Sequence, residues 1–140
     1  MKKKEPVSTI MTKHIHSVQL KNTLLDAIEL VRKHNVRHVP VLKGKQLVGI
    51  ISKNDLDRLS FSDIMPGEGE SDEAVLEMLT IGQVMSHKPR VVKSNDTIYH
   101  VAEILSREEF HALPVVSEKD EELVGIVTTT DVIRYMLEQY

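Results

Sequence analysis

Residues Leu47-Val48-Gly49-Ile50-Ile51-Ser52-Lys53-Asn54-Asp55 return 76 positions later as Leu123-Val124-Gly125-Ile126-Val127-Thr128-Thr129-Thr130-Asp131. Each stretch starts as an apolar run of strand length and ends in a hydroxyl and an acid three residues apart, a helix-start signal. Upstream, His38-Val39-Pro40-Val41 answers Ala112-Leu113-Pro114-Val115, and Asn22-Thr23-Leu24 answers Asp96-Thr97-Ile98. Ile10-Met11-Thr12 likewise answers Val84-Met85-Ser86, and these three matches share an offset of 74. The two-residue slip falls where residues 117–122 replace residues 43–46, and length differences belong in surface turns. The chain is a duplication.

The two copies read alike. Leu24, Ala27, Ile28 and Val31 in one, and Ile98, Val101, Ala102 and Leu105 in the other, follow the i, i+3, i+4, i+7 spacing of a helix face. Asn22 or Thr23, and Asp96 or Thr97, offer N-caps ahead of these helices. A short strand is expected at 39–42 and 113–116, its proline arguing for a sheet edge or a strand start. A second strand is expected at 47–51 and 123–127, followed by another helix. Extended pieces at 16–18 and 90–92 complete the order strand, helix, strand, strand, helix. A copy of about 55 residues buries little surface alone, so the two are expected to pack sheet against sheet around one core. Between them, Pro66-Gly67-Glu68-Gly69-Glu70 reads as a loop, and Ser71-Asp72-Glu73 followed by Ala74, Val75, Met78 and Leu79 as a short capped helix.

Composition narrows the function classes. The 140 residues are 41% hydrophobic and only 4% aromatic, so the core must rest on Val, Ile, Leu and Met. A net charge of −3 with mixed signs leaves no electrostatic footprint for nucleic acid, and Lys2, Lys3 and Lys4 read as a solvated tail. No apolar run reaches the ~20 residues of a membrane span, and none follows the lysines as a secretion signal would require. With no cysteine there is neither disulfide framework nor thiolate chemistry, and a soluble cytoplasmic protein is expected. The seven histidines lack companions at metal-ligand spacing: a helix ending near His34 separates it from His38, and His14 and His16 merely alternate. Glu68, Glu70, Asp72 and Glu73 read as a solvated acidic linker rather than a cation site. No nucleophile elbow is present, and the six methionines fit core filling. No enzyme activity, metal or catalytic cofactor is expected.

The pattern Gly-apolar-apolar-Ser/Thr-x-x-Asp at a strand-to-helix junction carries the chemistry. The glycine admits a ligand or a neighbouring backbone. A hydroxyl and open N–H groups at a helix start favour phosphate. An aspartate one turn in can accept both hydroxyls of a ribose. Ser52-x-x-Asp55 and Thr128-x-x-Asp131 equally fit a helix capping box. A cap alone needs neither the glycine three residues ahead nor the arginine three residues after each aspartate, Arg58 and Arg134. Those arginines suit a phosphate contact and a pairing with Asp equally well.

Together, Ile-Met-Thr, Asn/Asp-Thr before a helix, x-x-Pro-Val and the glycine-to-aspartate turn resemble the CBS (cystathionine-β-synthase) domain, twice over, from Val7 to Leu137. The linker and the Met-Thr opening also resemble stand-alone bacterial CBS pairs of the acetoin-utilisation type. The resemblance implies an α/β (α+β) fold, with two β-α-β-β-α repeats packed through their sheets in pseudo-twofold symmetry. The expected divisions are a tail at 1–6, copies at 7–60 and 81–140, and a linker at 61–80. It further implies a regulatory module that binds AMP, ADP, ATP or S-adenosylmethionine in the cleft between the copies. Site 1 would comprise Ile15, His16, His38, Pro40, Ser52, Lys53 and Asp55. Site 2 would comprise Pro89, Arg90, His111, Pro114, Thr128, Thr129 and Asp131. In each, the aspartate would hold ribose, the hydroxyls and histidines would reach phosphate, and the segments at 15–16 and 89–90 would border adenine. At least one site is expected to bind nucleotide, and site 2, with three consecutive hydroxyls and Arg90, is the first candidate. A homodimer that signals to a partner enzyme or transporter by conformational or oligomeric change is the implied assembly. The other reading is a structural dimerisation module whose sites are degenerate.

Overall fold

The computed structural model describes residues 4–64 and 77–140, with the backbone alone for 60–64. The chain separates into two units that do not follow its order: one is His16–Lys88, and the other joins Met1–Ile15 to Pro89–Tyr140. The expected linker loop at 66–70 and the helix start at 71–75 lie outside the described residues, as do the four linker acids.

In the first-copy unit, β1 (Val18–Gln19), α1 (Leu24–His34), β2 (His38–Lys43), β3 (Gln46–Ser52) and α2 (Lys53–Ile64) come from the first copy. The opening of the second copy supplies α3 (Ile81–Val84) and β4 (Ser86–His87). The sheet runs β1-β2-β3-β4, with β1 parallel to β2 and the other pairs antiparallel. The second-copy unit repeats this with β5 (Val92–Lys93), α4 (Ile98–Arg107), β6 (Ala112–Val116), β7 (Leu123–Thr128) and α5 (Thr129–Glu138), its sheet running β5-β6-β7. Here the opening of the first copy contributes a 3-10 turn, Val7–Thr9, and a two-way backbone bridge between Thr12 and Ile126 at 2.8 and 3.0 Å. That bridge stands where Ser86 pairs with Ile50 in the other unit. The expected strand-helix-strand-strand-helix order is present twice.

Two details differ from expectation. The strands carrying Pro40 and Pro114 are interior, because β2 lies between β1 and β3 and β6 between β5 and β7. Proline is tolerated there because the flanking strands are only two residues long. Their ladders begin at Val41 and Val115, one residue past each proline, so no strand on that side asks for the missing N–H. The early extended pieces accordingly pair at 18–19 and 92–93, later than 16–18 and 90–92.

The helices start as their sequences ask. Thr23 and Thr97 are the N-caps of α1 and α4, accepting from Asp26 N and His100 N. Asn22 and Asp96 instead hold the preceding turn, accepting from Gln19 N at 2.7 Å and Lys93 N at 2.8 Å. Leu24, Ala27 and Val31 are buried with Ile28 partly so, and the α4 face adds Ile104 to the expected Ile98 and Val101.

Each unit has its own buried cluster. The first gathers Leu24, Val39, Val41, Ile51 and Leu56 around Ile81 and Met85. The second gathers Val92, Val101, Leu113, Val115 and Val127 around Val7, with Ile10 and Met11 packed against it. Ile81 and Val7 are both fully buried. Burying such a side chain is worth about 1.5–3 kcal/mol, which is why each opening segment packs where a complete apolar seat awaits it. The exchange answers the size problem: a copy too small for a core is completed by the other copy's first residues. Two methionines depart from core filling, since Met78 is 80% and Met136 39% exposed.

Candidate functional site

The glycine-to-aspartate turns sit where β3 runs into α2 and β7 into α5. The glycine's role is structural. A Cβ built on Gly49 would lie 2.9 Å from Met85 Cγ and 2.9 Å from the Ser86 carbonyl; on Gly125 it would lie 2.9 Å from Met11 Cγ and 3.0 Å from the Thr12 carbonyl. The close neighbour is therefore the Met-Thr/Ser opening of the other copy, laid across the strand.

The hydroxyl and acid close a reciprocal cap in both copies. Ser52 N donates to Asp55 Oδ2 at 3.0 Å, and Asp55 N donates to Ser52 Oγ at 3.0 Å. Thr128 N donates to Asp131 Oδ2 at 2.9 Å, and Asp131 N donates to Thr128 Oγ1 at 3.1 Å. The helix start is less open than the sequence suggests. Lys53 N donates to the Arg37 carbonyl at 2.7 Å, and Thr129 N to the His111 carbonyl at 3.0 Å. Only Asn54 N and Thr130 N, among the first three N–H groups of each helix, lack an acceptor among the described residues. Any anion must therefore find its partners mostly in side chains.

The turns differ in what remains. Arg58 Nη2 donates to Asp55 Oδ1 at 2.6 Å, so both oxygens of that carboxylate are engaged. Asp131 Oδ1 has no partner among the described residues, and Arg134 makes no ion pair there. Lys53 is drawn to Asp57 at 2.8 Å, whereas Thr129 Oγ1 turns back toward the His111 carbonyl at 3.4 Å.

The strands bring several expected residues to these turns. His38 stands opposite Ser52 in the β2–β3 ladder, and Ala112 opposite Thr128 in β6–β7, with His111 one residue earlier. Pro40 and Pro114 are buried two residues along the same strands, opposite Ile50 and Ile126. The residues ahead of β1 and β5 are otherwise engaged. His16 stacks on His34 with ring centroids 3.8 Å apart and an interplanar angle of 14°. Arg90 pairs with Glu108 at 3.2 Å. Ile15 and Pro89 flank these residues, half-buried, and Ile15 belongs to the second-copy unit. The sequence reading gave neither His34, weighed only as a metal ligand, nor Glu108 a place beside the turns, although they carry a signal: at the offset of 74, His16 becomes Arg90 while His34 becomes Glu108. Among the described residues no group of three or more His, Cys, Asp or Glu could hold a metal ion, and no helix is long and apolar enough to cross a membrane.

Comparison with known proteins agrees with the fold. The profile of one family, the CBS domain, matches residues 7–62 and 81–138. The Methanocaldococcus jannaschii protein MJ0188 is 33% identical over 134 residues, 95% of this chain, which in turn spans 44% of that protein. Crystallised CBSX2, a protein of Arabidopsis thaliana, is described in complex with AMP. It is 28% identical, with a TM-score of 0.79 over 96% of this chain and 98% of that one. A Vibrio cholerae protein named for acetoin utilization, AcuB, is 28% identical with a TM-score of 0.76 over 96% and 91% of the two chains.

Proposed function

The chain belongs to the CBS-domain family, and on that premise we propose that it is a regulatory ligand-sensing module whose ligand is an adenine nucleotide, AMP, ADP or ATP. The observation that carries the reading is the turn at α5, where the cap uses Asp131 Oδ2 and leaves Oδ1 for a ribose hydroxyl. Thr128 and Thr129 stand at the same helix start, and His111 is joined to it by the Thr129 N–H. Arg90 and Pro89 border the base at the approach to β5, and Pro114 gives an apolar wall. The same roles fall in the first copy to Asp55, Ser52, Lys53, His38, His16, Ile15 and Pro40, with Asp55 already paired. AMP bound to CBSX2 supports an adenosine ligand here.

In this reading the module is not itself an enzyme. It works as a homodimer in the cytoplasm and passes ligand occupancy to a partner enzyme or transporter by a conformational or oligomeric change. The ligand drives that change only as far as it binds one arrangement better than the other.

Titration calorimetry with AMP, ATP and S-adenosylmethionine tests the reading. Asp131→Asn keeps an acceptor for the Thr128 N–H while removing the charge, so the fold should survive. Saturable AMP or ATP binding that Asp131→Asn weakens tenfold or more is the expected result. A preference for S-adenosylmethionine would move the ligand class. A second reading, a structural dimerisation module with degenerate sites, is favoured by the closed caps and by the methionines seated on both glycines. Absence of heat with all three ligands, from folded protein free of bound nucleotide, would establish it.

A further inference from the structure

The segment leading into β1 and the last turn of α1 are tied by two imidazoles, while the matching places in the second copy are tied by a guanidinium and a carboxylate. His16 and His34 correspond to Arg90 and Glu108 at the offset that relates the copies throughout this region. One position thus carries two kinds of tie. Guanidinium and carboxylate side chains as a class are charged throughout the neutral range. The stacked histidines are the side chains whose charge changes there.

We propose that the His16–His34 stack is a proton-operated clasp on the first copy, closed while at most one ring is protonated and opened when both are. Stacked at 3.8 Å, the rings share their faces, and two imidazolium charges at that distance repel. The charges around the pair give no relief. Lys33 lies beside His34 on α1, Arg37 directly precedes β2, and His38 begins it, the strand against which α1 packs. No carboxylate forms an ion pair with either ring among the described residues.

The direction of titration agrees. His34 is held below its ordinary 6.5 by desolvation, then by the like charges of His16 and Lys33. Its exposure to solvent keeps the desolvation partial. A histidine depressed in the folded state binds fewer protons there than in the unfolded chain. Its contribution to stability is therefore complete above 6.5 and is lost as the pH falls below that value toward the folded-state midpoint.

Two measurements on the whole chain test the clasp, neither requiring a nucleotide. By NMR, the titration midpoint of His34 should rise in His16→Ala relative to the native chain; an unchanged or lower midpoint overturns the proposal. The double variant His16→Arg/His34→Glu installs the second copy's tie in the first. Between about pH 8 and pH 5, where imidazole changes charge, it should lose less of its thermal midpoint than the native chain. An equal or greater loss overturns the clasp, and if the double variant fails to fold, the His34 titration alone decides. The clasp and the nucleotide reading therefore fail separately.

Discussion

Laid over one another at equivalent positions, the two copies agree in their backbone devices and disagree in the ties between elements. Both seat a methionine from the other copy on a strand glycine, and both open the last helix with the same reciprocal cap. The ties vary in chemistry, and they vary as pairs. Glu5 accepts a 2.6 Å hydrogen bond from the Tyr135 hydroxyl in one unit, where the other has Leu79 and Leu59 packed against its core. A salt bridge at 90 and 108 becomes a histidine stack at 16 and 34. The carboxylate at 55 is covered by an arginine, and the one at 131 is not. A contact set by backbone sterics has few solutions, whereas one set by side-chain complementarity has many, provided both partners change together.

The seats offer the strongest way to break the comparison. Ile81→Ala empties a fully buried position and should cost about 2–5 kcal/mol in urea unfolding. Amide exchange should show the loss first in His16–Lys88, the unit that Ile81 completes. If the loss appears first in the second-copy unit, the exchange of opening segments is wrong.

Next come the glycines. Gly49→Ala and Gly125→Ala each drive a methyl against a backbone carbonyl at 2.9–3.0 Å, and each should destabilise by about 1–3 kcal/mol. Equal losses would sharpen the view that the two seats are one device; a loss confined to Gly49 would break it.

Tyr135→Phe removes the polar tie of the second-copy unit alone, and the partner Glu5 remains half-buried. A cost of about 1 kcal/mol in the same unfolding assay is expected, against nothing comparable in the first-copy unit. The smallest effect concerns Arg58. Its pair with Asp55 is exposed on the arginine side and worth roughly 0.2–1 kcal/mol. Arg58→Ala should leave stability almost unchanged and tighten AMP binding at the first turn by no more than about fivefold, the equivalent of that energy. Tightening at the second turn instead would show that the uncovered Asp131 is not what separates the two sites.

How much of this was legible in the residues follows the same division. The repeat, the helix faces led by Leu24 and Ile98, and the caps at Ser52 and Thr128 are local patterns, and the chain shows them where the periodicity places them. The interior position of Pro40 was not legible, because it depends on how few residues β1 contributes to the ladder. Nor was the purpose of Gly49 and Gly125. Each meets a methionine from the other copy, and such contacts leave no trace in local spacing. A signal existed nonetheless: Met11 and Met85 recur with the glycines, and a duplicated feature with no partner in its own copy invites a search in the other. The residues of the two turns were found from the motif, while His34 and Glu108, which engage His16 and Arg90 ahead of β1 and β5, lie beyond its span.

The exchange of opening segments also constrains the order in which the chain can be made and folded. Thr12 pairs with Ile126, more than a hundred residues later. At ~5–20 residues per second of synthesis, the segment around Val7 waits on the order of ten seconds for the strand that receives it. The first copy cannot close until Ile81 has emerged either. Throughout that interval Val7, Ile10 and Met11 have no seat of their own, so the nascent chain carries an unsatisfied apolar stretch that chaperones or its own transient collapse must shelter.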